Sequence, residues 1–258
     1  MKDDRQFVTA LARGLEVLRC FTPERPELGT TEIAGQTGLP QPTVWRLCYT
    51  LSKLGYLVPG RDPEKLRAGP GVLALGYAAV THAGVAEFAA SLMKEIADEF
   101  EASVSLAARD RLNMVIVQRA EAPSILKLSL HVGSALAIER SALGWAYLAG
   151  VGEKERQALL AQITRASPAR ADQLRRDIAG ALEHYRRCGF VTNLRHYHPD
   201  VNALGVPVVS PDGRRVLALN CGGASSIVTE KKLIGPIARA AMALAAKLGP
   251  MLAADGPG

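Results

Sequence analysis

What the chain lacks narrows its chemistry first. Four cysteines are present, Cys20, Cys48, Cys188 and Cys221, and no two form a CxxC pair. They give neither a disulfide framework nor a zinc site, and they suit a reducing compartment. No uninterrupted apolar run approaches the roughly eighteen residues of a membrane span. No charged-then-apolar opening with a cleavage site marks a secretory signal. No GxGxxG or Walker pattern occurs, Ser141 lacks a nucleophile elbow, and no internal repeat stands out. The expectation is a cytoplasmic protein that is not an enzyme and holds no metal or cofactor.

What is there suits two domains. The chain has 258 residues, 48% of them hydrophobic, enough to bury a sizeable core. The formal net charge of +6 favours an anionic partner only weakly, because 31 basic residues stand against 25 acidic ones.

Residues 39–54 carry the most information. Val44, Leu47, Leu51 and Leu54 recur at three- and four-residue spacing and predict one apolar stripe on a helix. Gln41, Thr43, Trp45, Arg46, Tyr49 and Lys53 lie off that stripe, a set suited to a DNA major groove as well as to an ordinary amphipathic surface. The flanks favour the groove. Val8, Leu11, Leu15, Leu18 and Phe21 predict a first helix over residues 7–21. Thr30 is the expected N-cap of a second helix, with Glu32 in its first turn and Gly38 at its end. Two short helices joined by a Gly-containing turn make a helix-turn-helix. Gly55 then closes the third helix. Residues 56–58 and 66–68 read as a small hairpin, or wing, carrying Arg61, Lys65 and Arg67.

The rest reads as mixed α+β. Residues 71–82 are helical, and the domain boundary falls near Gly84. Phe88, Leu92, Ile96 and Phe100 predict the inner face of the next helix. Strands are expected over residues 103–109, 114–119, 125–130, 205–209 and 215–221. Helices are expected from Leu143, over 154–163, over 172–188 with Gly189 as its stop, and from a Thr229 cap. The terminal helix should bury Leu233, Ile237, Ala241, Leu244 and Leu248. An antiparallel sheet with packed helices follows.

Several motifs together resemble the IclR family of bacterial transcriptional regulators. They are residues 11–18 (LARGLEVL), 31–34 (TEIA), 37–40 (TGLP), 43–47 (TVWRL), Thr50-Leu51, 54–57 (LGYL), 205–208 (GVPV) and the strand 216–221. The resemblance covers residues 7–252. It departs from the family pattern at the wing, where 65–69 (KLRAG) stands for the usual Tyr-x-Leu-Gly, and at Trp45, where Tyr is more usual. It implies a winged helix-turn-helix over 7–70, a linker helix over 71–84 and a GAF-like effector-binding domain over 85–252. It also implies dimers or tetramers on palindromic double-stranded DNA, with operator binding modulated by a small organic acid, aromatic acids included.

DNA contacts are expected from Thr30, Thr31, Gln41, Thr43, Trp45, Arg46, Tyr49, Arg61, Lys65 and Arg67. Arg46 can fork onto guanine, hold a phosphate or pair along its own helix; Trp45 can wedge against the DNA backbone or pack on the wing. Carried over from the resemblance, effector contacts fall on Ala142, Leu143, Asn193, Ala203, Asn220 and Gly222. Several of these are small or apolar, so they should shape a cavity rather than bind charge. Asn220, inside an apolar strand, needs a partner: either nearby backbone or the effector. His196 and His198 could suggest a metal or only a loop. Cys221 could be a sensor thiol or a small core residue. The rival reading is a metabolite-binding protein or enzyme whose N-terminal helices merely mediate association; the lack of a catalytic constellation argues against the enzyme.

Overall fold

Apolar residues at helical spacing gather the first sixty-odd residues around one small core. The computed structural model describes residues 6–81, 84–123 and 130–253. Two units divide the chain, Met1–Ala79 and Val80–Gly258, and each is described by itself.

In the first unit, α1 (Thr9–Arg19), α2 (Thr30–Thr37) and α3 (Gln41–Lys53) bring Val17, Cys20, Ile33, Val44 and Cys48 together with Leu28 and Leu57. Complete burial of a side chain such as Val44 contributes about 1.5–3 kcal/mol. Three details differ from the spacing argument. Val8, Leu11 and Leu15 are exposed, because the residues of α1 that meet this small core lie in its last turns. Leu54 is exposed too, and Cys48 takes its place on the inner face of α3. Thr30 is already helical. Gly29 is the cap residue, and the Glu32 carboxylate accepts its N–H at 2.7 Å, so no capping hydroxyl is required. Gly38, with φ of 67°, ends α2. Past α3, Gly55 has φ of 79°, and the Tyr56 N–H donates to the Leu51 carbonyl at 2.9 Å, a Schellman closure.

The wing is β2 (Leu57–Pro59) against β3 (Leu66–Ala68), with β1 (Glu27–Leu28) on the far side of β3. Two residues between Pro26 and Gly29 are too few for alternation to announce β1.

Helix α4 (Pro70–Thr81) contains the division between the units, and α5 (Gly84–Phe100) opens the second. The buried positions of α5 are Val85, Ala86, Ala89, Met93, Ile96 and Ala97. Phe88 is exposed, so the stripe drawn through it is rotated: small alanines allow α5 to lie close to the sheet, and the larger Phe88 is left outside.

That sheet is antiparallel with strand order β6-β5-β4-β9-β8-β7. Its strands are β4 (Ser103–Asp110), β5 (Asn113–Glu121), β6 (Ala135–Ala137), β7 (Val191–Leu194), β8 (Val201–Val209) and β9 (Val216–Ala224). β6 and β7 are short edge strands that periodicity did not reveal. Of the strand expected over 125–130, all but Leu130 lies outside the described residues, and Leu130 is not in a strand. The helices are α6 (Ala142–Gly150), α7 (Glu153–Ala166), α8 (Ala171–Cys188) and a terminal α9 over 230–248. Leu233, Ile237, Ala241, Leu244 and Leu248 are buried in α9 as expected. Its middle loosens into a π turn over Leu233–Ile237, where Pro236 has no N–H to give the α ladder.

The two faces of the sheet differ. Val104, Leu106, Leu204, Val206, Leu219 and Cys221 form a dry face that packs on α5 and α9. On the other face, Ala107, Ile116 and Ala218 pack with α6 and α8. Toward the opposite end of that second face the residues become polar. Arg119, Ser105, Asn220 and Gly205 stand side by side on successive strands, and so do Ser103, Gly222, Ala203 and Asn193. Directly opposed residues share a face. This polar end is where the cleft described next is built. Among the described residues, no helix is long and apolar enough to cross a membrane.

Candidate functional site

The first candidate surface is the outer side of α3. With Val44 and Cys48 buried, Gln41, Trp45, Arg46, Tyr49 and Lys53 face outward, and Thr43 is half-buried at the margin. Trp45 and Tyr49, four residues apart, stack with ring centroids 5.6 Å apart and planes at 16°. Lys53 Nζ lies 5.4 Å from the centre of the Tyr49 ring. Trp45 thus leans on Tyr49, a partner that neither alternative for it named. Arg46 sits beside this stack without an ion-pair partner among the described residues.

The start of α3 is tied to α2: Gln41 Nε2 donates to Thr31 Oγ1 at 2.9 Å. Thr30 and Thr31 occupy the first turn of α2. The wing is braced by acids. Both Glu27 carboxylate oxygens accept the Arg61 backbone N–H at 3.1 Å, leaving the guanidinium outward. Lys65 pairs with Glu32 at 3.4 Å. The Gly29 N–H, and next Lys65, hold the Glu32 carboxyl below the usual carboxylate range. Arg67 is exposed on β3, between Glu27 and Val58 in register.

The second candidate is a small cleft in the second unit, partly open to solvent. All six residues carried over from the resemblance line it: Ala142, Leu143, Asn193, Ala203, Asn220 and Gly222. Chain positions some eighty residues apart meet here because α6 starts against the sheet. A Cβ on Gly205 would fall 2.3 Å from the Ala142 carbonyl, and one on Gly144 would fall 2.1 Å from that of Ile138. Only glycine permits either approach.

The two asparagines differ. Asn193 is buried and uses both ends of its amide: Nδ2 donates to the Arg140 carbonyl and Oδ1 accepts the Tyr197 N–H, each at 2.8 Å. It clamps the turn before α6 to the loop after β7. Asn220 is half-buried and donates Nδ2 to the Leu204 carbonyl at 3.0 Å. The backbone is thus a partner, and the residue also faces the cleft.

Sequence reasoning missed Arg119. It lines the same cleft with its side chain 8% exposed. Its guanidinium donates to Ser105 Oγ at 2.8 Å, to Ser103 Oγ at 3.1 Å and to Glu121 Oε2 at 3.2 Å. Its Nε–H is buried and has no partner among the described residues. The six carried-over residues include no charged group, and the charge on this cleft comes from Arg119. The overlooked signal was an arginine at an inward strand position across from a Ser-x-Ser pair.

Other candidates resolve as packing. Cys221 is fully buried on the dry face, and burial pushes its thiol up to about 12, too high for a sensor thiolate. His196 lies against Trp145 and 3.4 Å from Asp177 Oδ2. Among the described residues, no three metal-binding side chains cluster. Ser141 caps α6: its Oγ accepts the Gly144 N–H at 3.1 Å and donates to the Ala137 carbonyl at 2.9 Å.

Comparison with known proteins gives these two sites a setting. Residues 10–60 match the IclR helix-turn-helix domain, and residues 77–248 match the bacterial transcriptional regulator IclR C-terminal model. The chain is 30% identical over 222 residues to the HTH-type transcriptional regulator TsaQ1/TsaQ2 of Comamonas testosteroni, covering 85% of this chain and 80% of that protein. A crystal structure of an IclR family transcriptional regulator from Brucella abortus is 38% identical, with a TM-score of 0.85 over 97% of this chain and 95% of its own. An IclR homolog from Microbacterium hydrocarbonoxydans, crystallised with 4-hydroxybenzoate, shares the fold at 22% identity, with a TM-score of 0.73 over 95% of this chain and 99% of that one. The chain belongs to the IclR family of bacterial transcriptional regulators.

Proposed function

We propose that the protein is a cytoplasmic repressor or activator whose operator binding responds to a small organic acid. The observation that carries the DNA half is the outer side of α3, where Gln41, Trp45, Arg46 and Tyr49 stand exposed on a helix anchored by Val44 and Cys48. In this reading α3 enters the major groove and Arg46 reads a base. Thr43 and the stacked Trp45–Tyr49 pair press on the sugar-phosphate backbone. Thr30, Thr31, Arg61, Lys65 and Arg67 hold phosphates.

Residues 7–70 serve as the DNA-binding domain, 71–84 as the linker and 85–252 as the effector domain. Phe7, Val8, Leu11 and Leu15 leave an apolar stripe on and just before α1. A second copy covering it would give a dimer, and a two-fold dimer matches a palindromic operator. The relative bound to 4-hydroxybenzoate supports an aromatic acid as effector. Such a ligand shifts operator affinity only by binding two arrangements of the protein unequally.

The experiment is a gel shift with DNA upstream of the gene and of its neighbours, at two salt concentrations, with and without aromatic acids. Sequence-preferring binding that weakens steeply with salt is expected. Binding indifferent to sequence and salt would overturn the reading.

A further inference from the structure

We infer that Arg119 and the amino terminus of α6 together form a carboxylate-binding subsite at the polar end of the cleft. The inference rests on the effector reading above and assigns the charged end of the ligand to particular groups.

Two independent features of one cleft point to an anion. The first is Arg119. A guanidinium cannot shed its charge, so burying it is costly unless acceptors surround it. Here one carboxylate, Glu121, and two serine hydroxyls face it, while the Nε–H has no partner among the described residues. Ser103 and Ser105 each accept from Arg119, so each hydroxyl hydrogen remains to be donated elsewhere. The second feature is the start of α6. Ser141 Oγ takes the Gly144 N–H and the Ser141 carbonyl takes the Trp145 N–H. The Ala142 and Leu143 amides precede any helical acceptor, and both residues line the cleft. The positive end of the helix dipole therefore lies on the same cleft as the guanidinium.

The remaining walls select the rest of the ligand. Leu130, Leu136, Tyr197 and Val201 are largely apolar. Donors at one end and hydrocarbon on the walls suit a flat carboxylate with an apolar body. The Nε–H and the two serine hydroxyl hydrogens are donors that carboxylate oxygens accept. Gly222 keeps the floor low, since a Cβ there would lie 2.8 Å from that of Ala203.

The test is calorimetric titration of the intact protein with benzoate and with benzamide, its neutral counterpart. Wild type should bind benzoate at least about tenfold more tightly than benzamide. Arg119→Met should abolish that preference, and Arg119→Lys should restore part of it. Equal binding of the two compounds by wild type, no uptake of benzoate at roughly millimolar concentration, or an unchanged preference in Arg119→Met overturns the assignment. Should Arg119→Met fail to fold, Asn220→Asp decides. A second carboxylate in the cleft should weaken benzoate at least about tenfold more than benzamide, and equal effects on both would overturn the assignment. Operator binding is scored separately by gel shift. A protein that binds its operator yet ignores carboxylates keeps the regulator reading and loses this subsite.

Discussion

The two units handle polar chemistry in opposite ways. The winged unit turns it outward: Trp45, Arg46, Tyr49 and Arg67 are exposed on a helix or strand whose other side makes a small core. The second unit turns it inward, with Arg119, Ser105 and Asn193 buried or nearly so, and hydrogen-bonded. Exposed groups cost little to place and act only when a partner removes their water. Buried groups must be satisfied in the folded chain, so each holds structure as well as any ligand. Substitutions in the first unit should therefore change binding and leave stability alone, whereas those in the second should change both.

The harshest challenge to this contrast is Gly144→Ala. A methyl group 2.1 Å from the Ile138 carbonyl oxygen forces the start of α6 away from the segment that follows β6. The expected loss is about 3 kcal/mol or more, measured by denaturant unfolding. Next comes Asn193→Ala, which strips partners from the Arg140 carbonyl and the Tyr197 N–H. About 2 kcal/mol of stability should disappear, with ligand response falling alongside. An unchanged melt would place Asn193 with the outward-facing groups.

Arg46→Ala should do the reverse. Operator affinity should fall by about 1–3 kcal/mol and sequence preference should relax, with the melting temperature unmoved. Retained preference in a gel-shift competition would remove Arg46 from base reading. Lys65→Ala should lower affinity evenly across sequences and reduce the salt slope by about one. A slope unchanged from wild type would leave Lys65 as no more than the partner of Glu32.

The smallest effect concerns pH. His184 is held below the ordinary histidine pKa by burial first and Arg187 second, and its Nε2 is buried with no hydrogen-bond partner among the described residues. The unfolded chain thus takes up the proton more readily than the folded one. Stability is full above the unfolded value of about 6.5 and declines as pH falls below it. His184→Gln should flatten that decline in unfolding measured from pH 7.5 to 5.5.

How much of this was legible follows from range. The helix-turn-helix could be read because its signals are local: Gly38 and Gly55 stop helices within a turn of the residues they affect, and Val44, Leu47 and Leu51 recur at three- and four-residue spacing. Local spacing misjudged how far a face is covered, as Leu11, Leu54 and Phe88 show, since coverage depends on what packs against the helix. The six cleft residues came from resemblance, and they do converge. Arg119 could not be found that way, because its importance lies in Ser103 and Ser105 across the strand pair.

The sequence by itself determined the class of element at most positions, the order of the units and the outward residues of α3, because periodicity and capping act over a few residues. Tertiary structure alone decided that β1 would complete the wing, that α6 would start against Gly205, and that a buried arginine would meet that helix in one cleft. Those outcomes depend on strand register and close approach between distant segments, and no window along the chain contains both partners.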